Sequence, residues 1–316
     1  MQLTEKPPKK RMPMGKMDRQ EALAAKLFLL PAFGGLIFLT YLPLAAVFGL
    51  SLFQWNVPMP TPTFIGIENY RFLFFDDFFF WTSLRVTIQY GILSVVLSMV
   101  YSMFIALLLN RKMPGRTAFR TIFYLPFIIP AMATFLSWSL ILDGGGVVNN
   151  AIAALGGDRT HFLHNNATII PSLAMIAVWT SGNLIVINMA GLGNVPRVYQ
   201  EAAEIDGANS WQRFWKITIP CMTPIIFYNM LISLVANMQI FVPSLLFTAG
   251  GGAGGGTVHE SYLFMTFTMY RTGFLNGQLG RASAISFIFF VLIGVFTAIL
   301  FATSKSWLFY EGGDNK

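Results

Sequence analysis

The sequence predicts an all-α integral membrane protein that crosses the bilayer with six helices. Of its 316 residues, 55% are hydrophobic and only 11% are charged, whereas a soluble domain carries about 25% charged residues. Six long stretches contain no charge, and each is long enough to cross a bilayer at about 1.5 Å per helical residue. These stretches do not alternate apolar and polar residues as the strands of a membrane β-barrel do. Helices are therefore expected to satisfy the backbone hydrogen-bonding groups within the lipid.

The six predicted spans are the stretches without Asp, Glu, Lys or Arg, because one such charge at the bilayer centre costs at least about 2.5 kcal/mol. In chain order they cover residues 27–53, 86–109, 122–142, 169–192, 222–247 and 282–303. The nearest flanking charges are, in the same order, Lys26 and Glu68, Arg85 and Arg111, Arg120 and Asp143, Arg159 and Arg197, Lys216 and Glu260, and Arg281 and Lys305. Residues 27–305 are therefore predicted to form one transmembrane domain.

The Lys and Arg residues indicate the orientation of the spans. Sixteen of the 21 lie in the two terminal segments and in the connections between spans two and three and spans four and five. Because cytoplasmic loops are enriched in Lys and Arg, both termini are predicted to be cytoplasmic. Residues 1–26 are interpreted as a basic cytoplasmic tail that anchors the protein at the membrane, not as a cleaved signal peptide or a nucleic-acid-binding arm. Residues 306–316 are predicted to form a second cytoplasmic tail.

Few residues in the sequence could carry out chemistry. One cysteine and three histidines leave little material for a metal site, and none is predicted. The sequence has no H-E-x-x-H or G-x-S-x-G motif, and no G-K-[ST] follows its glycine-rich stretches, so neither catalysis nor ATP binding is expected. The spans contain no Asp, Glu, His, Lys or Arg, which disfavours proton coupling. The alternative function is an ion-coupled secondary transporter of a small neutral solute, with sodium held by carbonyl and hydroxyl groups.

The predicted cytoplasmic connection 197–220 has the pattern of two short helices. Pro196 allows a helix to begin, good helix formers follow it, and Gly207 permits a sharp turn. Asn209 can then cap a second helix that enters the membrane. Glu201 is expected near the N-terminus of the first helix, where the helix dipole favours a negative charge.

This connection resembles the EAA signature of ABC importer permeases, E-A-A-x3-G-x9-I-x-L-P. Its positions are filled by Glu201, Ala202, Ala203, Gly207, Ile217 and Pro220. The departure is Ile219 in place of leucine, which conserves volume. The resemblance implies the MetI-like fold of type I ABC importer permeases. It also implies that Glu201, Ala202, Ala203, Gly207 and Pro220 couple the membrane domain to a separate ATPase subunit. ATP and Mg²⁺ would be bound by that partner, so this chain is expected to carry no cofactor and to be no enzyme.

Other segments resemble the sugar-importing branch of these permeases. Residues 64–70 read F-I-G-I-E-N-Y and are similar to its external F-x-G-x-x-N-Y element ahead of span two. The resemblance covers about residues 27–310 and implies uptake of a sugar or oligosaccharide across a bacterial plasma (inner) membrane. The implied partners are a second homologous permease, two ATPase subunits and a periplasmic or lipid-anchored solute-binding protein. An oligosaccharide, a monosaccharide and glycerol phosphate stay open as the solute.

Polar and aromatic residues within spans four and five are the candidate substrate ligands. Trp179 and Asn183 are spaced i, i+4, as are Ser233 and Asn237, so each pair is predicted to share a helix face, and Gln239 lies nearby. Amides and hydroxyls suit the hydroxyl groups of a sugar, and an aromatic ring suits its apolar face. The alternative is that these polar groups only hold helices together, as they often do in membranes.

Overall fold

The computed structural model describes residues 16–58, 61–111, 113–249 and 259–309 of the chain. Part of each predicted tail (residues 1–15 and 310–316) and the glycine-rich segment 250–258 lie outside these residues. The described part is helical apart from its connections and one two-stranded antiparallel hairpin, β1 (Phe53–Gln54) with β2 (Thr63–Phe64).

The helices of the described residues follow one another in chain order. They are α1 (Lys16–Leu36), α2 (Leu42–Ser51), α3 (Glu68–Phe75), α4 (Phe78–Asn110), α5 (Arg116–Ile128), α6 (Ala131–Leu142), α7 (Val147–Ala154), α8 (Asn166–Trp179), α9 (Gly182–Asn194), α10 (Arg197–Ile205), α11 (Ser210–Arg213), α12 (Ile219–Met238), α13 (Val242–Ser244), α14 (Met265–Tyr270) and α15 (Leu279–Trp307). Four π-helical turns occur at Ile37–Tyr41, Phe214–Thr218, Leu245–Ala249 and Arg271–Leu275, and a 3-10 turn occurs at Glu260–Tyr262.

The six predicted crossings are present in the described residues. Five helical segments are long and apolar enough to cross a membrane: Leu23–Ser51, Phe78–Asn110, Ala131–Ala154, Ser210–Phe247 and Leu279–Trp307. The remaining crossing, fourth in chain order, is the pair α8 and α9, which are bent by 50° at the break between them. Five of the predicted spans coincide with these segments or with that pair over most of their length, but the third segment, Ala131–Ala154, shares only residues 131–142 with the predicted span 122–142. The third and fourth predicted spans are also not the continuous helices that the sequence predicts.

The third crossing is broken within the predicted span 122–142. α5 ends at Ile128 and α6 begins at Ala131, and Ile129 between them is extended. Pro130 explains the break, because a proline has no N–H to donate and disfavours helical backbone in the residue before it.

The fourth predicted crossing is broken as well. α8 ends at Trp179 and α9 begins at Gly182. The hydroxyls of Thr180 and Ser181 donate at 3.1 and 2.7 Å to carbonyl oxygens three or four residues earlier, and such local bonds compete with the helix ladder. A Cβ at Gly182 would lie 2.6 Å from the Phe123 carbonyl oxygen of α5, so only glycine fits where α9 starts.

α4 is the central helix of the bundle. It packs against α8, α9 and α12. Its buried face carries the small polar residues Ser94, Ser98 and Ser102, and small residues let neighbouring helices approach closely in a membrane. The carboxylate of Asp77 accepts hydrogen bonds from two N–H groups of the first turn and caps the helix.

A clasp formed by β1, β2, α3 and the start of α15 joins the first and last crossings on the predicted external side. The F-x-G-x-x-N-Y residues 64–70 build it. Asn69 Nδ2 donates to the carbonyl oxygens of Ser51 and Phe53 at 2.8 and 2.9 Å. The Tyr70 hydroxyl lies 2.6 Å from Ser51 Oγ. The motif therefore ties the end of the first crossing to α3.

The sixth crossing begins against the same clasp. The N–H of Leu279 donates to the Trp55 carbonyl oxygen at 2.9 Å. A Cβ at the next residue, Gly280, would collide with the carbonyl oxygen of Phe53. This glycine lets α15 start directly against the backbone of β1.

Replacing Gly280 with alanine is predicted to destabilise the protein by about 1–3 kcal/mol, the usual cost of overpacking. Gly294→Ala in the same helix is the control, because a Cβ there meets no atom within 4 Å and alanine favours helix. Thermal unfolding of the detergent-solubilised variants, followed by size-exclusion chromatography, measures the difference. Equal melting temperatures for the two variants would contradict the close approach of α15 to β1.

Candidate functional site

A cavity of about 290 Å³ lies where the breaks in the third and fourth crossings face α4 and α12. Its polar lining includes Tyr90 and Ser98 of α4, Asn183 of α9, and Ser233 and Asn237 of α12. None of the described residues around it is charged. In the same described residues, no group of three or more His, Cys, Asp or Glu side chains could hold a metal ion. The cavity is therefore suited to a neutral polar solute.

The structure brings Ser233 and Asn237 together in this cavity. Asn237 Nδ2 donates to the Ser233 carbonyl oxygen at 2.8 Å and lies 3.1 Å from Ser233 Oγ. The Tyr90 hydroxyl lies 3.5 Å from Asn237 Oδ1, and the Tyr90 ring packs edge-on against Phe264 with centroids 5.2 Å apart. This packing holds a hydroxyl and an amide side by side at the wall of the cavity.

Two further polar groups at the cavity are left without partners. Asn183 is half-buried in the first turn of α9, and its amide forms no hydrogen bond to any described residue. Thr134 Oγ1 of α6 is buried and also has no partner in the described part of the chain. Because an unpaired polar group is costly in a low-dielectric interior, the partly exposed Asn183 amide is available to hydrogen-bond a bound solute, whereas Thr134 Oγ1 is buried out of reach of that solute.

Trp179 and Gln239, which the sequence places among the ligands, lie outside the cavity lining. The helix breaks after Trp179, so the prediction that it shares a face with Asn183 is wrong. Trp179 instead packs edge-on against Trp138, with ring centroids 5.6 Å apart. Gln239 is exposed and is the residue that follows the last residue of α12.

A buried polar layer that the sequence did not predict lies next to the cavity. Asn229 Nδ2 donates to Asn188 Oδ1 at 2.8 Å, and Asn188 Nδ2 donates to Ser102 Oγ at 3.1 Å. All three side chains are fully buried. Each lies four or five residues along its helix from a cavity residue, towards the predicted cytoplasmic side. The layer joins α4, α9 and α12 beneath the cavity.

The connection between the fourth and fifth crossings folds as two short helices, as predicted. α10 follows Pro196, Gly207 has φ +79°, and Asn209 forms a capping box at the start of α11. Glu201 is the fifth of nine residues in α10. The prediction that its position near the helix N-terminus lets the dipole stabilise it is wrong, because the helix begins at Arg197 and the dipole effect fades after the first turn.

One face of α10 is an exposed apolar stripe. Val198 and Ile205 are 70% and 88% exposed, and the exposed Ala202 lies between them at spacing i, i+4, i+7. Glu201 is exposed beside this stripe. A contiguous apolar surface with a polar rim is typical of a protein interaction site.

The remaining residues of the EAA signature shape the backbone of this connection. The Ala203 carbonyl oxygen accepts a hydrogen bond from the Ala208 N–H at 2.9 Å, which closes the turn around Gly207. Pro220 lies in the first turn of α12, a position that tolerates a missing N–H.

Asn188→Ala is predicted to destabilise the bundle by about 1 kcal/mol, because interhelical hydrogen bonds in membranes contribute about 0.6–1.7 kcal/mol. Asn183→Ala is the matched control in the same helix, since the Asn183 amide forms no such bond. Melting temperatures in detergent measure both variants. A melting temperature for Asn188→Ala equal to that of the wild type would show that the polar layer does not stabilise the bundle.

Comparisons with known proteins agree with this architecture. Residues 98–308 match the family described as "Binding-protein-dependent transport system inner membrane component". The chain is 35% identical to the probable ABC transporter permease protein YesP of Bacillus subtilis, over 93% of this chain and 94% of the relative. It is 30% identical to the trehalose/maltose transport system permease protein MalF of Thermococcus litoralis, over 90% and 94%.

The fold also matches a solved structure. It aligns with a chain of a bacterial ABC transporter involved in the import of the acidic polysaccharide alginate, with a TM-score of 0.76 and 24% identity, over 92% of this chain and 97% of that one. The family match and the two relatives together cover nearly all of the described crossings. This chain therefore belongs to the family of inner membrane components of binding-protein-dependent transport systems, and it is a multi-pass protein of the bacterial inner membrane.

Proposed function

We propose that this chain is a permease subunit of an ATP-driven importer for a neutral sugar or oligosaccharide. The observation that carries the proposal is the uncharged cavity at the two helix breaks, which is lined by Asn183, Ser233, Asn237 and Tyr90. Hydroxyl-rich solutes need such amide and hydroxyl partners. The name of the trehalose/maltose relative supports the same class of solute.

The size of the cavity sets what this chain contributes to binding. Its volume of about 290 Å³ lies just below the range of typical ligand pockets, which is about 300–1,000 Å³. This chain therefore binds one sugar unit, and a second homologous permease completes the chamber. A periplasmic or lipid-anchored binding protein delivers the solute on the external side.

The energy for transport enters through α10. The exposed stripe of Val198, Ala202 and Ile205, with Glu201 beside it, docks on an ATPase subunit, and two such subunits bind ATP and Mg²⁺. ATP hydrolysis is thus the partner's reaction, and this chain supplies Glu201, Ala202, Ala203, Gly207 and Pro220 as the coupling element. The six predicted spans contain no Asp, Glu, His, Lys or Arg, which fits an energy source outside the membrane domain.

Asn237→Ala is predicted to raise the apparent KM for uptake about tenfold, because one lost hydrogen bond to the solute is worth about 1.4 kcal/mol. Gln239→Ala, two residues away and outside the cavity, is the control and should leave KM unchanged. Uptake of labelled sugars by cells that express the complete transporter measures both. Equal KM values for the two variants would remove Asn237 from the substrate site.

Ile205→Lys is predicted to lower the amount of ATPase subunit that co-purifies with the chain at least about tenfold, because a charge in the centre of an interface costs about 2 kcal/mol or more. Leu155→Lys is the control: this leucine is 90% exposed and follows α7 on the predicted external side. Co-purification from cells that co-express the neighbouring transporter genes is the measurement. If the wild-type chain purifies alone and an ion gradient drives uptake in liposomes, the ion-coupled carrier replaces the importer.

A further inference from the structure

The two faces of α10 make different contacts. Val198, Ala202 and Ile205 are exposed on one face, whereas Gln200 and Glu204 lie on the opposite face, one helical turn apart. Both of these polar side chains reach the helix that follows the turn at Gly207. α10 is therefore fastened to the rest of the protein by contacts of these two side chains as well as by the backbone.

The first fastening is an ion pair between Glu204 and Arg213, the last residue of α11. The Arg213 side chain is only 20% exposed, and its Nη2 also lies 3.4 Å from Ser210 Oγ. Its Nε is buried without a partner among the described residues. The Glu204 side chain is 59% exposed, so solvent partly screens the pair, but the carboxylate places a neutralising charge beside a guanidinium that is largely shielded from water.

The second fastening is a hydrogen bond from Gln200 Nε2 to Thr218 Oγ1, at 3.1 Å. Thr218 ends the π-helical turn that joins α11 to α12. The two fastenings thus connect α10 to the following helix at two points, five residues apart. Because α10 is attached at two points, it is less free to rotate about either of them than it would be with one.

The helix that receives these contacts leads directly to the cavity. α11, the π-helical turn and α12 belong to one continuous helical segment that starts at Ser210. Ser233 lies 15 residues beyond Thr218, a distance of about 22 Å along the helix axis. Along the way, Asn229 bonds this helix to Asn188 of α9.

We propose that the Glu204–Arg213 ion pair and the Gln200–Thr218 hydrogen bond transmit the displacement of α10 to the fifth crossing and its cavity. Arg213 and Thr218 are positioning residues, since they act through α12 and touch neither solute nor nucleotide. Without these two contacts, the connection from α10 to α12 would run through the turn at Gly207 and α11. This inference rests on the proposed function, because it requires an ATPase subunit that moves α10.

The test uses the complete transporter with its partner subunits in liposomes and needs no identified solute. The chain carries Asn237→Cys in a Cys221→Ser background, and a membrane-impermeant thiol reagent reports how accessible the cavity is. ATP with vanadate is expected to change the labelling rate at least about fivefold, the low end of allosteric coupling. Arg213→Ala and the near-isosteric Thr218→Val should each abolish this change while ATP hydrolysis continues.

A charge exchange separates transmission from simple stability. Glu204→Arg combined with Arg213→Glu should restore the nucleotide-dependent labelling that Arg213→Ala removes. Arg71→Ala, which breaks the exposed Glu68–Arg71 pair on the predicted external side, should change nothing. An unaltered labelling response in both Arg213→Ala and Thr218→Val overturns the inference and leaves the proposed function standing. If Arg213→Ala does not assemble, Thr218→Val alone decides. A wild-type chain that captures no ATPase overturns the proposed function itself.

Discussion

A backbone that leaves the helical conformation inside a bilayer must be enclosed by protein, because lipid offers no hydrogen-bond partners. The rest of this structure depends on that constraint. The break at Thr180–Ser181 is enclosed, since Ser181 is buried, whereas Ile129 and Pro130 are exposed on the surface of this chain. Both breaks line the same cavity. Side chains cannot fill the space around two interrupted helices as densely as around two continuous ones. The cavity and the breaks therefore occur together for one physical reason.

The low dielectric of the membrane interior also makes the polar contacts between the crossings fix how the helices are placed relative to one another. Asn188 and Asn229 are fully buried. They can therefore hydrogen-bond to each other in only one relative position of α9 and α12. The close approach at Gly191, where a Cβ would lie 2.9 Å from side-chain atoms of Met222 and Ile225, fixes the same pair of helices one turn further on. The segment between the cavity and α10 is thus held at two successive levels, which makes it stiffer than the broken region above it.

The sequence was sufficient for features that depend on local chemistry and insufficient for those that depend on packing. Charge-free length predicted the crossings, and Gly207 with Asn209 predicted the turn in the coupling loop. The break at Pro130 was readable from the residue itself, but the spacing of Trp179 and Asn183 was interpreted on an unbroken helix. The four-residue repeat of Asn229, Ser233 and Asn237 marks one polar face of α12. Only the fold shows which of these residues faces the cavity and which faces another helix.

An uncharged cavity also restricts how transport can be driven. A membrane potential or a proton gradient acts on charges within the crossings, and the described residues around this cavity carry none. In the proposed function, a force applied outside the membrane arrives through helices. The proposed route runs from α10 through α11 and α12 to Ser233 and Asn237, and it includes the turn at Gly207, the π-helical turn Phe214–Thr218 and Pro224 inside α12. In this proposal, displacement applied at α10 changes the shape of the cavity where the backbone is already interrupted.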